Sequence, residues 1–304
     1  FQAEDGIRDF CLSRGLGDVY KRQVTFDSVP KKAISNDVNL TEMMLVLGLN
    51  DRMVGYTGIS GWKTLDEEMR KGVKELPELS SKYPSKEVLI GADADFFFAG
   101  WNYGMKVGGP VTPETLKPFG IKVYELTESC THIMKKNKAS IDDMYNDLLN
   151  LGKIFKIEDK ANSIVKSYRN ELASLTKDIQ SKDPLKVFVY DSGEDTPFTA
   201  GLYAMPTALI EAAGGKNVMD NFKKSWGTVT WEEVIDRNPE VIVIVNYGNV
   251  TAEQKREFMM TNPAFAEIDA VKNDRFVTLE YVEATPGPRN IKAVKKLVKS
   301  FWKK

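Results

Sequence analysis

The chain has 304 residues, of which 42% are apolar and 28% are charged, and this length allows two domains of ordinary globular composition. Its net charge of −1 gives no indication of nucleic acid as a partner. No apolar run is long enough to span a bilayer. With one histidine and two distant cysteines, Cys11 and Cys130, the sequence offers no metal-ligand spacing, so neither a metal site nor a cofactor is expected.

Residues 1–23 differ from the rest of the chain. They read FQAEDGIRDFCLSRGLGDVYKRQ, with no clear periodicity and without the basic-then-apolar order of a signal peptide. The segment resembles a translated sequencing-adapter read. We therefore expect an artefactual or disordered leader fused to a truncated gene, from which the native N-terminus and export signal are missing.

From Val24 onward, short apolar strands alternate with helices, a pattern typical of parallel α/β sheets. The predicted strands are Ala33–Ser35, Met53–Tyr56, Phe96–Ala99, Lys122–Leu126, Lys186–Tyr190, Val241–Val245 and Arg275–Leu279.

Capping residues mark the expected ends of several helices. Asn39 with Glu42, and Thr230 with Glu233, are spaced as capping boxes, and Thr112 precedes a proline at a first helical position. The glycines expected to end helices are Gly48, Gly120 and Gly214.

A single apolar stripe at helical spacing predicts one long helix over residues 158–181. At 1.5 Å per residue such a helix is roughly 35 Å long. The predicted organisation is therefore an N-terminal α/β lobe over 24–157, a rigid interlobe helix over 158–181, and a C-terminal α/β lobe over 182–304.

The two halves of the sequence echo each other. In each half, a short helix with acidic first-turn residues leads into a buried strand that is followed by Asn-Tyr-Gly, at Asn102–Gly104 and at Asn246–Gly248. Ligands of open parallel sheets bind beyond the carboxyl ends of the strands. Two such ends facing each other would form a bilobed binding site, although βα units also look alike for purely structural reasons.

An ordered series of segments resembles the helical-backbone substrate-binding proteins of ABC importers for siderophores, haem and cobalamin. The series covers nearly all of Val24–Trp302. Its parts are VPKK with NLTEM and LGLNDRMVG near the start, PETLKPFGIKVY, the helix from Glu158, PTALIEAAGGKN, Trp226–Val245 and the closing AVKNDRF.

This resemblance implies two α/β lobes joined by one rigid helix, a limited closing motion on a metal-chelate ligand, and delivery of that ligand to an ABC permease dimer. It also implies a monomer in the periplasm, or on the outer membrane face through a lipid anchor lost from this sequence. One acidic residue per lobe would meet permease arginines, and Glu87 and Glu232 match these positions. Acidic residues in a first helical turn are also favoured by the helix dipole alone.

Large flat ligands are held well by aromatic side chains in the loops after strands. The predicted aromatic ligand contacts are Trp62, Trp101, Tyr103, Phe198, Tyr203, Trp226, Tyr247 and Tyr281. Some of these side chains could instead simply cover the sheet edges.

Polar residues near the same loops complete the predicted site. Arg289, after Pro286-Gly287-Pro288, could bind ligand oxygen atoms, as could Lys63 and Lys224. Asn36, Asp37 and Asn39 precede a helix start whose N–H groups can bind an anion, although local capping also explains them. The lone His132 is more typical of a surface residue than of a metal ligand.

Two other classes of protein stay open. An α/β enzyme could use Asp191, Glu194 and Asp195 as acid and base, although a polar turn explains them and no phosphate-loop, nucleophile-elbow or dinucleotide motif is present. A sensory module could bind the same ligand to signal rather than to deliver it. We predict a binding protein and not an enzyme.

Overall fold

A computed structural model describes residues 24–59, 63, 67–135, 138–179 and 181–302. The chain divides into two compact units. Unit 1 comprises residues up to Asn137 together with Asp142–Lys166, and unit 2 comprises Lys138–Ile141 together with Ser167–Lys304. The division lies within a helix, so one continuous helix begins in unit 1 and ends in unit 2.

Unit 1 is built on parallel strands. Within its described residues they form a six-stranded sheet in the order β3-β2-β1-β4-β5, with β6 paired to β4. The strands are β1 (Ala33–Asn36), β2 (Met53–Thr57), β3 (Glu78–Ser80), β4 (Phe96–Trp101), β5 (Gly104–Met105) and β6 (Lys122–Glu125). The helices are α1 (Val38–Val46), α2 (Glu67–Val73), α3 (Lys86–Gly91), α4 (Pro113–Leu116) and α5 (Ile141–Ile154), with short 3-10 turns at Asn50–Arg52, Lys117–Phe119 and Thr127–His132.

Strand β4 is the centre of the unit 1 sheet. All six of its residues are buried, and Phe96, Phe97 and Phe98 have no exposed surface. Its in-register neighbours are β1 on one side and β6 on the other. Each fully buried phenylalanine contributes about 1.5–3 kcal/mol relative to an exposed one, so this strand anchors the unit.

The helix that crosses between the units is α6 (Glu158–Thr176). It ends earlier than the predicted Ser181, because residues 177–179 form a turn in which Ile179 N donates to Thr176 O. Ile179 is nevertheless buried. Its burial explains why the apolar stripe continued past the end of the helix. The helix is therefore about 28 Å long at 1.5 Å per residue.

Unit 2 contains a second parallel sheet. Within its described residues this sheet has four strands, in the order β12-β11-β7-β9, and a separate two-stranded antiparallel ribbon pairs β8 with β10. The strands are β7 (Leu185–Tyr190), β8 (Phe198–Ala200), β9 (Gly215–Asn217), β10 (Trp226–Thr228), β11 (Val241–Asn246) and β12 (Phe276–Glu280). The helices are α7 (Met205–Ala212), α8 (Trp231–Arg237), α9 (Ala252–Thr261), α10 (Asp269–Lys272), α11 (Tyr281–Ala284) and α12 (Asn290–Trp302), with a 3-10 turn at Pro263–Phe265.

The predicted helix ends agree with the structure except at the start of α1 and the end of α6, and the capping box predicted at Thr230 and Glu233 is only half formed. Thr112 forms a complete capping box with Thr115, and the Thr230 side chain accepts from Glu233 N. Gly48, Gly120 and Gly214 all have positive φ just beyond a helical segment. The predicted cap at Asn39 is wrong. Asp37 caps α1 instead, because its carboxylate accepts from Val38 N, and Asn39 lies buried inside the helix.

Candidate functional site

The carboxyl end of β1 carries two buried polar residues, Asn36 and Asp37. With its amide oriented to match its neighbours, Asn36 donates to Thr57 Oγ1 at 2.9 Å and accepts from Gly104 N at 3.1 Å. It therefore links β1 to β2 and to the start of β5. The predicted ligand residue Asn36 is a structural bridge in unit 1, and any contact with ligand stays a prediction.

Asp37 combines backbone strain with a buried ion pair. Its φ of 73° lies in the left-handed region, a conformation that costs about 1–3 kcal/mol for residues other than glycine. Asp37 N donates to Thr57 O at 2.8 Å, and its carboxylate lies 2.5 Å from Lys63 Nζ. Lys63 also donates to Gly58 O. These contacts hold the strained residue in place between β1 and the loop after β2.

Trp101 and Tyr103 follow the central strand of unit 1, and both side chains are buried. The Trp101 indole donates to Glu125 Oε1 at 2.8 Å, and its ring packs in the apolar core. Tyr103 exchanges two backbone hydrogen bonds of 2.8 Å with Gly100 and is 8% exposed. The structure thus places the predicted pair at the carboxyl end of β4, with Trp101 facing inward.

Two further residues singled out from the sequence belong to unit 1, Trp62 and His132. Trp62 lies outside the described residues. His132 is exposed, and its Nε2 lies 3.2 Å from Asn102 Nδ2. Among the described residues, no group of three or more His, Cys, Asp or Glu side chains is placed to hold a metal ion.

In unit 2, the β8–β10 ribbon presents a pair of aromatic rings. Phe198 and Trp226 are half-buried, and their rings stack with centroids 6.1 Å apart and planes at 11°. Asn217 supports the ribbon from beneath, donating to Ala200 O at 2.9 Å and to Thr207 Oγ1 at 2.7 Å. The ribbon is therefore a fixed, flat aromatic surface.

The loop after β8 lies close against the backbone of residues 222–224. The carbonyl oxygens of Phe222 and Lys224 both lie 2.5 Å from where a Cβ on Gly201 would be, so only glycine fits there. Tyr203 N donates to Lys224 O at 3.1 Å. Tyr203 is half-buried, whereas Lys224 is exposed with Nζ over the Phe222 ring. Both predicted residues thus lie beside the aromatic ribbon.

A buried polar cluster lies where β7 and β11 end. The Tyr247 hydroxyl donates to Asp191 Oδ1 at 2.8 Å, and Ser192 Oγ donates to the same oxygen at 2.8 Å. Lys255 is buried, donates to Val245 O at 2.7 Å, and places Nζ 5.0 Å from the Tyr247 ring centroid. Burial raises the pKa of Asp191 and lowers the pKa of Lys255.

Tyr281 adds a second aromatic ring to this end of the sheet, with its centroid 6.0 Å from that of Tyr247. Glu194 and Asp195 are exposed, unlike Asp191. The three carboxyl groups that an enzyme could have used are therefore split between the interior and the surface.

Arg289 stands on a loop that one buried asparagine organises. Asn290 Oδ1 accepts from Gly287 N at 2.9 Å, while its amide donates to the carbonyl oxygens of Glu283 and Thr285. Glu283 is buried and forms a 2.6 Å ion pair with Lys296. Arg289 itself is half-buried at the start of α12.

Glu87 and Glu232 occupy equivalent places in their units. Each is exposed in the first turn of a short helix, α3 or α8, that leads into a central strand. The acidic residue just before each central strand also has the same kind of contact in both units, because its carboxylate accepts backbone N–H hydrogen bonds. Asp95 accepts from Lys31 N and Lys32 N, and Glu240 accepts from Lys186 N. The sequence echo thus corresponds to repeated contacts, while the docking role of the two glutamates stays a prediction.

Sequence reasoning missed two features of this region. The first is the cluster formed by Asp191, Tyr247 and Lys255. These residues lie up to 64 positions apart in the sequence and are brought together by the pairing of β7 with β11. The second is Asn217, buried beneath the aromatic ribbon. An asparagine after Gly-Gly-Lys gives no local signal of such a role. Among the described residues, no helix is long and apolar enough to cross a membrane.

Several known proteins are similar to this chain in sequence or fold. A family model described as periplasmic binding protein matches residues 35–283. An uncharacterized ABC transporter substrate-binding lipoprotein, YvrC of Bacillus subtilis, is 25% identical over 94% of this chain and 85% of its own length. The vitamin B12-binding protein of Vibrio parahaemolyticus is 23% identical over 89% of each chain. The crystal structure of a periplasmic binding protein from Veillonella parvula covers 94% of this chain and 96% of its own, with a TM-score of 0.82 and 29% identity.

The match of the family model across both units shows that the chain belongs to the periplasmic binding protein family. The predicted α/β fold and the predicted class, a substrate-binding protein of this family, are both confirmed. Members of the family are transport binding proteins rather than enzymes.

Proposed function

We propose that the protein captures a metal-chelate small molecule outside the cytoplasm and delivers it to the permease of an ABC importer. The observation that carries this proposal is the family match over residues 35–283, which includes the carboxyl ends of both parallel sheets. In this proposal the ligand is a corrinoid, a ferric siderophore or haem, and the protein is not an enzyme. It acts in the periplasm or on the outer membrane face.

The chemistry of the unit 2 surface supports a large, flat ligand. The stacked rings of Phe198 and Trp226 and the neighbouring rings of Tyr247 and Tyr281 offer apolar area at little cost in side-chain entropy. The relative that binds vitamin B12 spans nearly the whole chain. Vitamin B12 is itself a cobalt chelate in a flat ring, which is the class of molecule that such a surface suits.

Tryptophan fluorescence of the full chain tests the proposal. Cobalamin, cobinamide, a ferric hydroxamate and haem would be titrated separately, with equilibrium dialysis as an independent measure of affinity. A true ligand is expected to quench saturably. In W226F the quenching amplitude should fall while Kd changes by less than about threefold, because phenylalanine preserves the stacking on Phe198.

W302F is the matched control for this titration. Trp302 packs against Gly214 and donates to Ala213 O, just before the amino end of β9 and away from the aromatic ribbon. Its replacement should leave ligand quenching unchanged. The absence of saturable binding by wild type for every ligand in the panel would overturn the proposal.

A further inference from the structure

The two units carry matching residues at the carboxyl ends of their sheets. Asp37 directly follows β1 and Asp191 directly follows β7, and each of these strands pairs with the central strand of its unit. Each central strand is followed by Tyr103 or Tyr247 in the repeated Asn-Tyr-Gly sequence. Both units therefore place an aspartate and a tyrosine at neighbouring strand ends.

The hydrogen bonding of the two pairs differs. In unit 2, Asp191 Oδ1 accepts a hydrogen bond from the Tyr247 hydroxyl. In unit 1, the Asp37 carboxylate is already occupied by Val38 N at 2.7 Å and Lys63 Nζ at 2.5 Å. Among the described residues no hydrogen bond joins Tyr103 to Asp37, unlike the bond between Tyr247 and Asp191.

The Tyr103 hydroxyl has no hydrogen-bond partner among the residues that the structure describes, although the residue is only 8% exposed. The hydroxyl is not among the fully buried, unpaired side-chain oxygens of the described residues, so it reaches the surface and is available to donate to a molecule from outside the fold. The tyrosine is also held firmly, because Gly100 binds its backbone on both sides. Gly104 then passes so close to Asn36 that a Cβ would lie 2.7 Å from its Cγ.

We infer that the Tyr103 hydroxyl donates a hydrogen bond to a neutral oxygen acceptor of the bound chelate, such as a carboxamide carbonyl. This inference rests on the proposed function and deepens it by naming a feature of the ligand. Because this donor is held in a largely buried position, it favours a ligand that carries its acceptor oxygen at a fixed place on a rigid ring.

The charges around Tyr103 explain why the acceptor is neutral. Burial, followed by the negative charges of Glu128 and Asp37, raises the pKa of Tyr103 well above its usual range. The phenol therefore keeps its proton and acts as a donor. Glu128 is 1% exposed, and a ligand carboxylate brought beside it would add a second negative charge in a poorly solvated place.

Two corrinoids with the same ring test the inference: dicyanocobinamide, which carries carboxamides, and dicyanocobyrinic acid, which carries carboxylates instead. Wild type should bind the carboxamide form more tightly. Y103F should weaken its binding about three- to tenfold, as expected for the loss of one neutral hydrogen bond. The same substitution should leave the carboxylate form nearly unaffected. The ferric hydroxamate and haem are measured with both proteins as well.

Y83F is the matched control, because the Tyr83 hydroxyl already donates to Asn102 O within unit 1. It should leave affinity unchanged. Y103F should keep or raise the midpoint of thermal unfolding, since no bond within the described fold is lost. Equal affinity of Y103F and wild type for the ligand that binds, or tighter binding of a carboxylate ligand, overturns the inference and leaves the proposed function intact. No binding by wild type overturns both.

Discussion

Asp147, in helix α5, is a carboxyl group enclosed by unit 1. Its Oδ1 accepts from Tyr124 Oη at 2.7 Å, from Thr127 Oγ1 at 2.6 Å and from Thr127 N at 3.1 Å. These bonds join α5 to the end of β6. Burial nevertheless dominates, and it raises the pKa of Asp147 to about 7.

This pKa makes stability depend on pH. Because the folded-state pKa lies above the ordinary value of 3.8, the folded protein holds a proton that the unfolded chain releases. The stabilising contribution of protonated Asp147 to the free energy of unfolding is fully present below pH 4. It is lost as pH rises towards 7, by up to about 1.4 kcal/mol per pH unit. Urea unfolding between pH 4.5 and 8 should show D147N losing less stability than wild type over this range.

D142N is the control for this measurement, because Asp142 is exposed on the same helix. It should keep the slope of wild type. Parallel stability profiles for D147N and wild type would show that Asp147 does not titrate in this range.

At the residue scale, the sequence identified positions better than contacts. Asn36, Asp37 and Tyr247 were placed correctly at strand ends from strand and turn patterns alone. Their partners were not predictable, because Lys63 and Lys255 reach them through tertiary packing that leaves no local pattern. The prediction of Asn39 as the helix cap was wrong, because Asp37, two residues earlier, is also a good capping residue and accepts a hydrogen bond from Val38 N.

The segment after β4, which includes β5 and the loop that follows it, contains two glycines with positive φ. Gly104, at the start of β5, has φ of 101°, and a Cβ there would lie 2.7 Å from Asn36 Cγ, whereas Gly108, in the loop after β5, has φ of 72° with nothing within 4 Å of a Cβ. Both positions disfavour a side chain through backbone strain. Only Gly104 adds a steric conflict with a buried residue.

Replacing each of these glycines by alanine separates strain from contact. G108A should cost about 1–2 kcal/mol, the usual penalty for a left-handed L-residue. G104A should cost a further 1–3 kcal/mol, because Asn36 must move in a packed interior. Chemical denaturation measures both values. Equal losses for the two variants would mean that the loop relaxes away from Asn36.

At the scale of elements, the apolar pattern was sufficient for the strands that form the cores. All seven predicted strands are present within one or two residues of their expected ends. The short strands β3, β5, β8, β9 and β10 were missed, since two or three residues cannot show a period. The aromatic ribbon belongs to this missed group, so its rings were predicted individually but not as a stacked pair.

The whole molecule must meet a permease if the proposed function is correct. Glu87 and Glu232 are exposed at equivalent helix starts, and the hydrogen bond from Ser85 lowers the pKa of Glu87, which keeps it charged. The double variant E87K/E232K should reduce transport in proteoliposomes by about tenfold or more, because like charges would face the permease arginines. Ligand affinity should not change.

E114K/E253K is the matched control, since both residues are exposed in first helical turns, of α4 and α9. It should transport normally. Normal transport by E87K/E232K would remove the two glutamates from the docking surface.

Neither unit is a single uninterrupted stretch of chain. Residues 138–141 belong to unit 2, where Ala139 N donates to Leu202 O and Lys138 pairs with Glu211, yet they precede the last segment of unit 1. During synthesis, these four residues therefore leave the ribosome before their partners exist. Unit 1 is complete only once Lys166, within α6, has emerged, so the first half of this shared helix is synthesised before the main segment of unit 2 that follows it.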